Sequence, residues 1–258
     1  MRIAVCEASP RMVAGDERWK HLVRRVKAER PDIFLMNEMP VGKWVAASPT
    51  CDAGELQALH RQHDDAMDRL TEFGISAVLG TRATSEDDKS VNEAFIRTSN
   101  GDVHCVHTKQ FFPNEAGFYE ARWFERGNMR FGTGTVGDLR IGFLICTDVM
   151  FNEWARHYGR KGVHLIAVPR ATPPGSEHRW RSMMAAAAIV SGCYVASSNR
   201  GGIAEDGQEF AGRGWIFGPT GELLAETTSE VPVVSAELDV ASVERAQSEY
   251  PCYVEDLD

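Results

Sequence analysis

The chain has 258 residues, of which 43% are hydrophobic and 25% charged, the balance of a globular protein with room for a substantial core. Its 28 basic and 37 acidic residues give a formal net charge of −9, which excludes a general nucleic-acid-binding surface. No apolar run is long enough to span a bilayer, and the N-terminus lacks a leader pattern, so a cytoplasmic protein without membrane contact is expected.

The first third alternates strand and helix signals. Residues 2–8 read as a strand, and 16–29 carry helical spacing through Trp19, Leu22, Val23 and Val26. Residues 33–37 form a second apolar strand. A long polar helix over 54–73 buries Leu56, Leu59, Met67 and Leu70, and 75–81 supplies a third strand. This alternation predicts βαβ units with a parallel component.

The middle of the chain turns to hairpins. Strands at 92–98 and 103–108 flank Ser99-Asn100-Gly101-Asp102, whose Asn-Gly pair predicts a type I′ turn. Strands at 130–134 and 139–146 flank Gly137-Asp138. Between these pairs, residues 111–127 are rich in aromatics and charge and read as a functional loop. A helix over 152–161, a strand at 163–168 and a Met- and Ala-rich helix at 176–191, with Met183 and Met184 in the core, follow. Then come a strand at 193–197, a loop at Gly201-Gly202, a hairpin of 213–218 with 222–226, and a strand at 231–238. Hairpins this frequent leave too few helices to shield one parallel sheet on both faces. Two mixed sheets packed together, with helices outside, predict a four-layer α-β-β-α sandwich in a single domain over 1–258.

Three apolar runs end abruptly in reactive side chains. Residues 33–37 meet Glu38, 103–108 meet Lys109, and Ile141-Gly142-Phe143-Leu144-Ile145 meets Cys146. Strand ends are where α/β folds build their sites. Glu38 can take the thiol proton and later deprotonate a water, Lys109 can stabilise a tetrahedral oxyanion, and Cys146 can form a thioester. That set predicts acyl transfer from an amide to water. The other five cysteines (Cys6, Cys51, Cys105, Cys193 and Cys252) lack disulfide spacing and read as reduced thiols.

Asn37-Glu38-Met39-Pro40, His107-Thr108-Lys109 and Ile145-Cys146-Thr147-Asp148 resemble the three signature segments of the nitrilase superfamily of carbon–nitrogen hydrolases. Asn92-Glu93-Ala94, Trp123-Phe124-Glu125-Arg126-Gly127, Ser198-Asn199-Arg200-Gly201 and Gly218-Pro219-Thr220-Gly221 fall in the same order. The resemblance implies a Glu38–Lys109–Cys146 triad, the α-β-β-α sandwich and a homodimer or higher homo-oligomer. It also implies a second site acid downstream of the lysine, for which Glu115 and Glu120 are candidates and Glu120 is preferred. A carboxylate near Glu38 would push one of the two pKa values upward.

Among substrate-facing groups, the Thr147 backbone N–H is placed to complete an oxyanion hole. Arg170 offers a carboxylate-binding fork, with a loop-acid ion pair as the alternative. Phe112 and Tyr119, with Phe111 and Phe118, are candidate pocket walls. Asp148 reads as an anchor, and Asn152 as the N-cap of the following helix. His107 or His157 as base finds no support over Glu38. The pairs His60/His63 and His104/His107 lack completing ligands, so no metal or other cofactor is expected. The resemblance favours an amidase releasing ammonia from a small carboxamide, over an N-carbamoyl amidohydrolase that also releases carbon dioxide.

Overall fold

The computed structural model describes residues 1–255. Its strands are β1 (Arg2–Ala8), β2 (Ile33–Leu35), β3 (Ala77–Glu86), β4 (Lys89–Thr98), β5 (Val103–Thr108), β6 (Thr133–Val136), β7 (Leu139–Phe143), β8 (Leu165–Arg170), β9 (Tyr194–Ile203), β10 (Glu209–Ala211), β11 (Trp215–Phe217), β12 (Leu223–Glu226) and β13 (Val233–Glu237). The helices are α1 (Glu17–Glu29), α2 (Ala53–Arg69), α3 (Asn152–Arg160), α4 (Glu177–Ser191) and α5 (Val240–Ser248). This is a mixed α/β fold.

Parallel pairing runs through β1, β2 and β3, with Ile3 beside Ile33 and Ile33 beside Ala77. A second parallel set joins β7, β8 and β9. Antiparallel strands extend both sets: β4, β5 and β13 on the first, β6, β11 and β12 on the second. The two halves are not separate sheets. The end of β1 stitches them together, pairing Glu7 with Asn199 and Ala8 with Arg200.

Alternation along the strands sorts the core into layers. Ile3, Val5, Ile33, Leu35, Leu79 and Ile96 share one apolar cluster with Ile141, Phe143, Leu165, Ala167 and Ala196 of the other half. Their neighbours Ala4, Cys6, Phe34 and Val78 face the opposite way, onto Trp19, Leu22 and Val26 of α1 and Met67 of α2. Ala155 and Tyr158 of α3 and Met184 and Ala187 of α4 pack on the second half. Local signals set the helix ends: Asp16 accepts the Trp19 N–H at 2.7 Å, and Asp52 accepts that of Glu55 at 2.8 Å.

Three local expectations give way. Asn100 does not adopt positive φ, so residues 99–102 form a wider loop in which Asn100 Oδ1 accepts the Asp102 N–H. The tight turn with two consecutive positive φ values lies instead at Asp87 (48°) and Asp88 (63°), joining β3 to β4. Asn152 is the first residue of α3 and not its cap; Phe151 stands at the cap position without a side-chain bond. Gly201 and Gly202 continue β9, held by pairing with β10.

Candidate active site

The ends of β2, β5 and β7 place Glu38, Lys109 and Cys146 in one buried cluster, which the loop after β5 completes with Glu120. Lys109, directly after β5, is fixed by its backbone: its N–H donates to Asn92 O at 2.9 Å, and its carbonyl accepts from Gly127 N at 3.1 Å. Its ammonium lies 2.7 Å from Glu38 Oε1 and 2.7 Å from Glu120 Oε2. Glu38, Lys109 and Glu120 have no solvent exposure, and Cys146 has 3%. Water therefore does little to screen these charges.

Glu38 leaves β2 through a constrained turn. Its backbone N–H donates to Arg170 O at 3.3 Å, and Asn37 Nδ2 donates to its carbonyl at 3.1 Å. Met39 follows with φ of 41°, its N–H bound to Thr81 Oγ1 at 2.8 Å. The guanidinium of Arg200 donates to the carbonyls of Glu38, Met39 and Pro10 and lies over Trp44 at 5.4 Å. Arg200 is wholly buried, and burial pulls its pKa down to about 10. Asn92 Nδ2 donates to Glu38 Oε1 at 2.8 Å.

Cys146 opens a 3-10 turn, Cys146–Met150, and sits at φ of 48°. A non-glycine residue in the left-handed region is costly, and such strain gathers at functional sites. Asp148 holds the turn in place. Its Oδ1 accepts from the backbone N–H groups of Gln110 and Phe111, and its Oδ2 from that of Ile145. His107 Nε2 adds a fourth contact at 2.8 Å to Oδ2, while its Nδ1 faces Arg130 O. Asp148 thus ties the lysine segment to the cysteine segment, and His107 braces that tie.

Burial raises the Cys146 pKa, and the charge of Glu38 raises it further; Lys109 acts in the opposite sense. For Lys109, burial alone would lower the pKa, but Glu120, Glu38 and Cys146 together outweigh it and hold the ammonium charged. Burial first, then the charge of Glu38, push Glu120 up to about 8. Glu38 Oε2 and Glu120 Oε1 are buried acceptors with no partner among the described residues. The buried cluster thus holds acceptors for protons and one fixed cation beside a thiol.

Other sequence candidates fall in different places. Glu115 is exposed, and Arg122 bonds Asn114 Oδ1 at 3.0 Å and not Glu120. Thr147 is half-buried next to Cys146. Phe112 is half-buried, its ring centre 5.5 Å from Lys109 Nζ; Tyr119 is half-buried, with the Arg122 guanidinium 5.2 Å from its ring. Phe118 packs against Trp44 and Phe210. Arg170 is fully buried, its guanidinium bonded to Ser197, Thr172 and Arg213 O and lying 4.2 Å over Trp215. Its fork is thereby engaged within the protein. His60 bonds Ser90, and His63 Nδ1 faces Leu59 O.

Thr81 carries no sequence signal for a place at the site, and Asn92 and Arg200 stand out only as members of the motif segments. The Ser198-Asn199-Arg200-Gly201 segment was the available signal for Arg200. A guanidinium inside an apolar strand has no periodic signature.

The carbon–nitrogen hydrolase family model matches residues 3–248. A 2-oxoglutaramate amidase of Bacillus subtilis is 28% identical over 182 residues, 70% of this chain and 68% of that protein. An omega-amidase of Escherichia coli is 28% identical over 177 residues, 68% of this chain and 67% of its own. Among solved structures, a carbon–nitrogen hydrolase from Helicobacter pylori superposes with a TM-score of 0.86 at 18% identity, covering 98% of this chain and 94% of that one. An amidase from Nesterenkonia, solved with acrylamide added to its active-site cysteine, gives 0.77 at 20% identity, covering 96% and 97%. These superpositions establish the shared fold, and the family match across nearly all of the sequence establishes descent: the chain belongs to the carbon–nitrogen hydrolase family.

Proposed function

We propose that the protein is a cysteine-dependent amidase that hydrolyses a small primary carboxamide to a carboxylic acid and ammonia. The observation that carries this reading is Lys109 Nζ held 2.7 Å from both Glu38 and Glu120 in a buried cluster with Cys146. In this reading Glu38 accepts the thiol proton as Cys146 Sγ attacks the amide carbon. The oxyanion is stabilised by Lys109 and the Thr147 backbone N–H. Collapse expels the amine with that proton as ammonia and leaves a thioester. Glu38 then takes a proton from water, whose oxygen attacks the thioester, and the acid departs as the thiol recovers its proton. Glu120, with its raised pKa, is placed to exchange a proton beside Lys109 and Glu38.

Phe112 and Tyr119 are assigned to the wall around the acyl group, and Arg170 to the support beneath the site. The amidase names of the relatives support a carboxamide over an N-carbamoyl compound. The test is release of ammonia and carbon dioxide from a panel of amides and N-carbamoyl compounds. Ammonia from carboxamides, absent in Cys146→Ala, is expected; carbon dioxide from carbamoyl compounds at higher kcat/KM would replace the reading.

No helix among the described residues is long and apolar enough to cross a membrane. All six cysteines are unpaired, which supports a reducing, cytoplasmic location. A homo-oligomer belongs to the same proposal, supported by the exposed Ile189, Tyr250 and Tyr253, and sedimentation velocity tests it.

A further inference from the structure

We infer that Asn92 is a positioning residue that decides which oxygen of Glu38 moves the proton. Asn92 is wholly buried on β4. Its Nδ2 donates to Glu38 Oε1 at 2.8 Å, and Lys109 Nζ donates to the same oxygen at 2.7 Å. Two charge-assisted bonds fill the acceptor capacity of Oε1. Oε2 has no partner among the described residues although it is equally buried. It is thus the oxygen left free to take the thiol proton and then that of a water.

Asn92 also acts on the other side of the pair. Its backbone carbonyl accepts the Lys109 N–H at 2.9 Å, so one residue fixes the side chain of the acid and the backbone of the amine. The orientation of the amide follows from charge: the reverse flip would set a carbonyl oxygen against a carboxylate oxygen. The resulting cost falls on Asn92 Oδ1, which is buried and has no partner among the described residues. A side chain with only a packing role gains nothing from that arrangement. Without the second donor, the carboxylate can rotate about its last bond, and the proton acceptor loses its aim; a misplacement of this kind costs about a hundredfold in rate.

The inference rests on Glu38 as the base, so its test reads the thiol without substrate. Alkylation of Cys146 by iodoacetamide is followed against pH in the wild type, Asn92→Ala, Asn92→Asp, Glu38→Gln and the Glu38→Gln/Asn92→Ala double variant. Asn92→Asp is isosteric and places a second carboxylate against Glu38, so its alkylation midpoint moves to higher pH. Asn92→Ala slows alkylation at pH 7 by about tenfold or more and lowers kcat by about a hundredfold, with KM within about threefold. In the Glu38→Gln background, removal of Asn92 changes the rate by less than about twofold, because the residue acts only through Glu38. The same cycle with Asn92→Leu, which is neutral, near-isosteric and without a donor, covers the case in which the smaller side chain does not fold.

Full additivity in the cycle, or wild-type kcat and alkylation midpoint in both folded Asn92 variants, overturns the inference. A different result identifies failure of the underlying function: wild-type Cys146 reacting no faster than the exposed Cys51 removes the activated nucleophile itself, and the role of Asn92 with it.

Discussion

Glu120 Oε2 lies 2.7 Å from Lys109 Nζ, with both side chains wholly buried. Burial and the neighbouring Glu38 raise the Glu120 pKa from 4.5 to about 8, and the linkage to stability follows in sign. Between those two values the folded protein retains a proton that the unfolded chain has released. Stability therefore falls as pH rises through that window. Urea denaturation of wild type and Glu120→Gln at pH 5, 7 and 9 checks this. The wild type loses stability relative to the variant as pH increases; parallel curves would remove the raised acid.

The left-handed backbone of Cys146 gives a second test. Glycine inside ordered structure is usually less stable than alanine, but at a φ of 48° the order inverts. Cys146→Gly and Cys146→Ala both abolish hydrolysis, and the glycine variant is the more stable by about 1 kcal/mol. Thermal denaturation of the pair gives the sign directly.

Arg200→Lys keeps a charge but loses the fork that holds three carbonyls around Glu38. Buried carbonyls left without donors cost about 1–3 kcal/mol each. The variant loses several kcal/mol in urea titration, and kcat falls at least about tenfold as the Glu38–Met39 turn relaxes. Unchanged kcat in a folded variant would show that Arg200 holds the structure without aiming the acid.

Asp148→Asn turns an acceptor with three backbone donors and His107 into a group with only one acceptor oxygen. Both the melting temperature and kcat fall, since the same carboxylate ties Gln110 and Phe111 to the cysteine turn. In Cys146→Ala, by contrast, activity vanishes with little change in melting temperature.

Glu38, Lys109 and Cys146 were legible because each ends an apolar run, and a change from apolar to charged marks a strand's mouth. Strands and most helices were legible for the same reason, through periods of two and 3.6 residues. The stitch between the two half-sheets was not, because Glu7 and Ala8 pair with Asn199 and Arg200 across almost the whole sequence. The Asn100-Gly101 loop misled because Asn100 spends its side chain on the Asp102 N–H and stays out of positive φ. The supports of Glu38 were hidden too. Asn92, Thr81 and Arg200 act through bonds to residues far away in the sequence, which no local periodicity signals.

The central claim is that Cys146 carries the acyl group during turnover. Rapid acid quench with a small carboxamide substrate, followed by peptide mass spectrometry, reads this directly. The expected result is a transient mass increase equal to the acyl group on the peptide containing Cys146, formed as ammonia appears and absent in Cys146→Ala. Ammonia release that survives Cys146→Ala, or an adduct found only on another residue, would contradict the account.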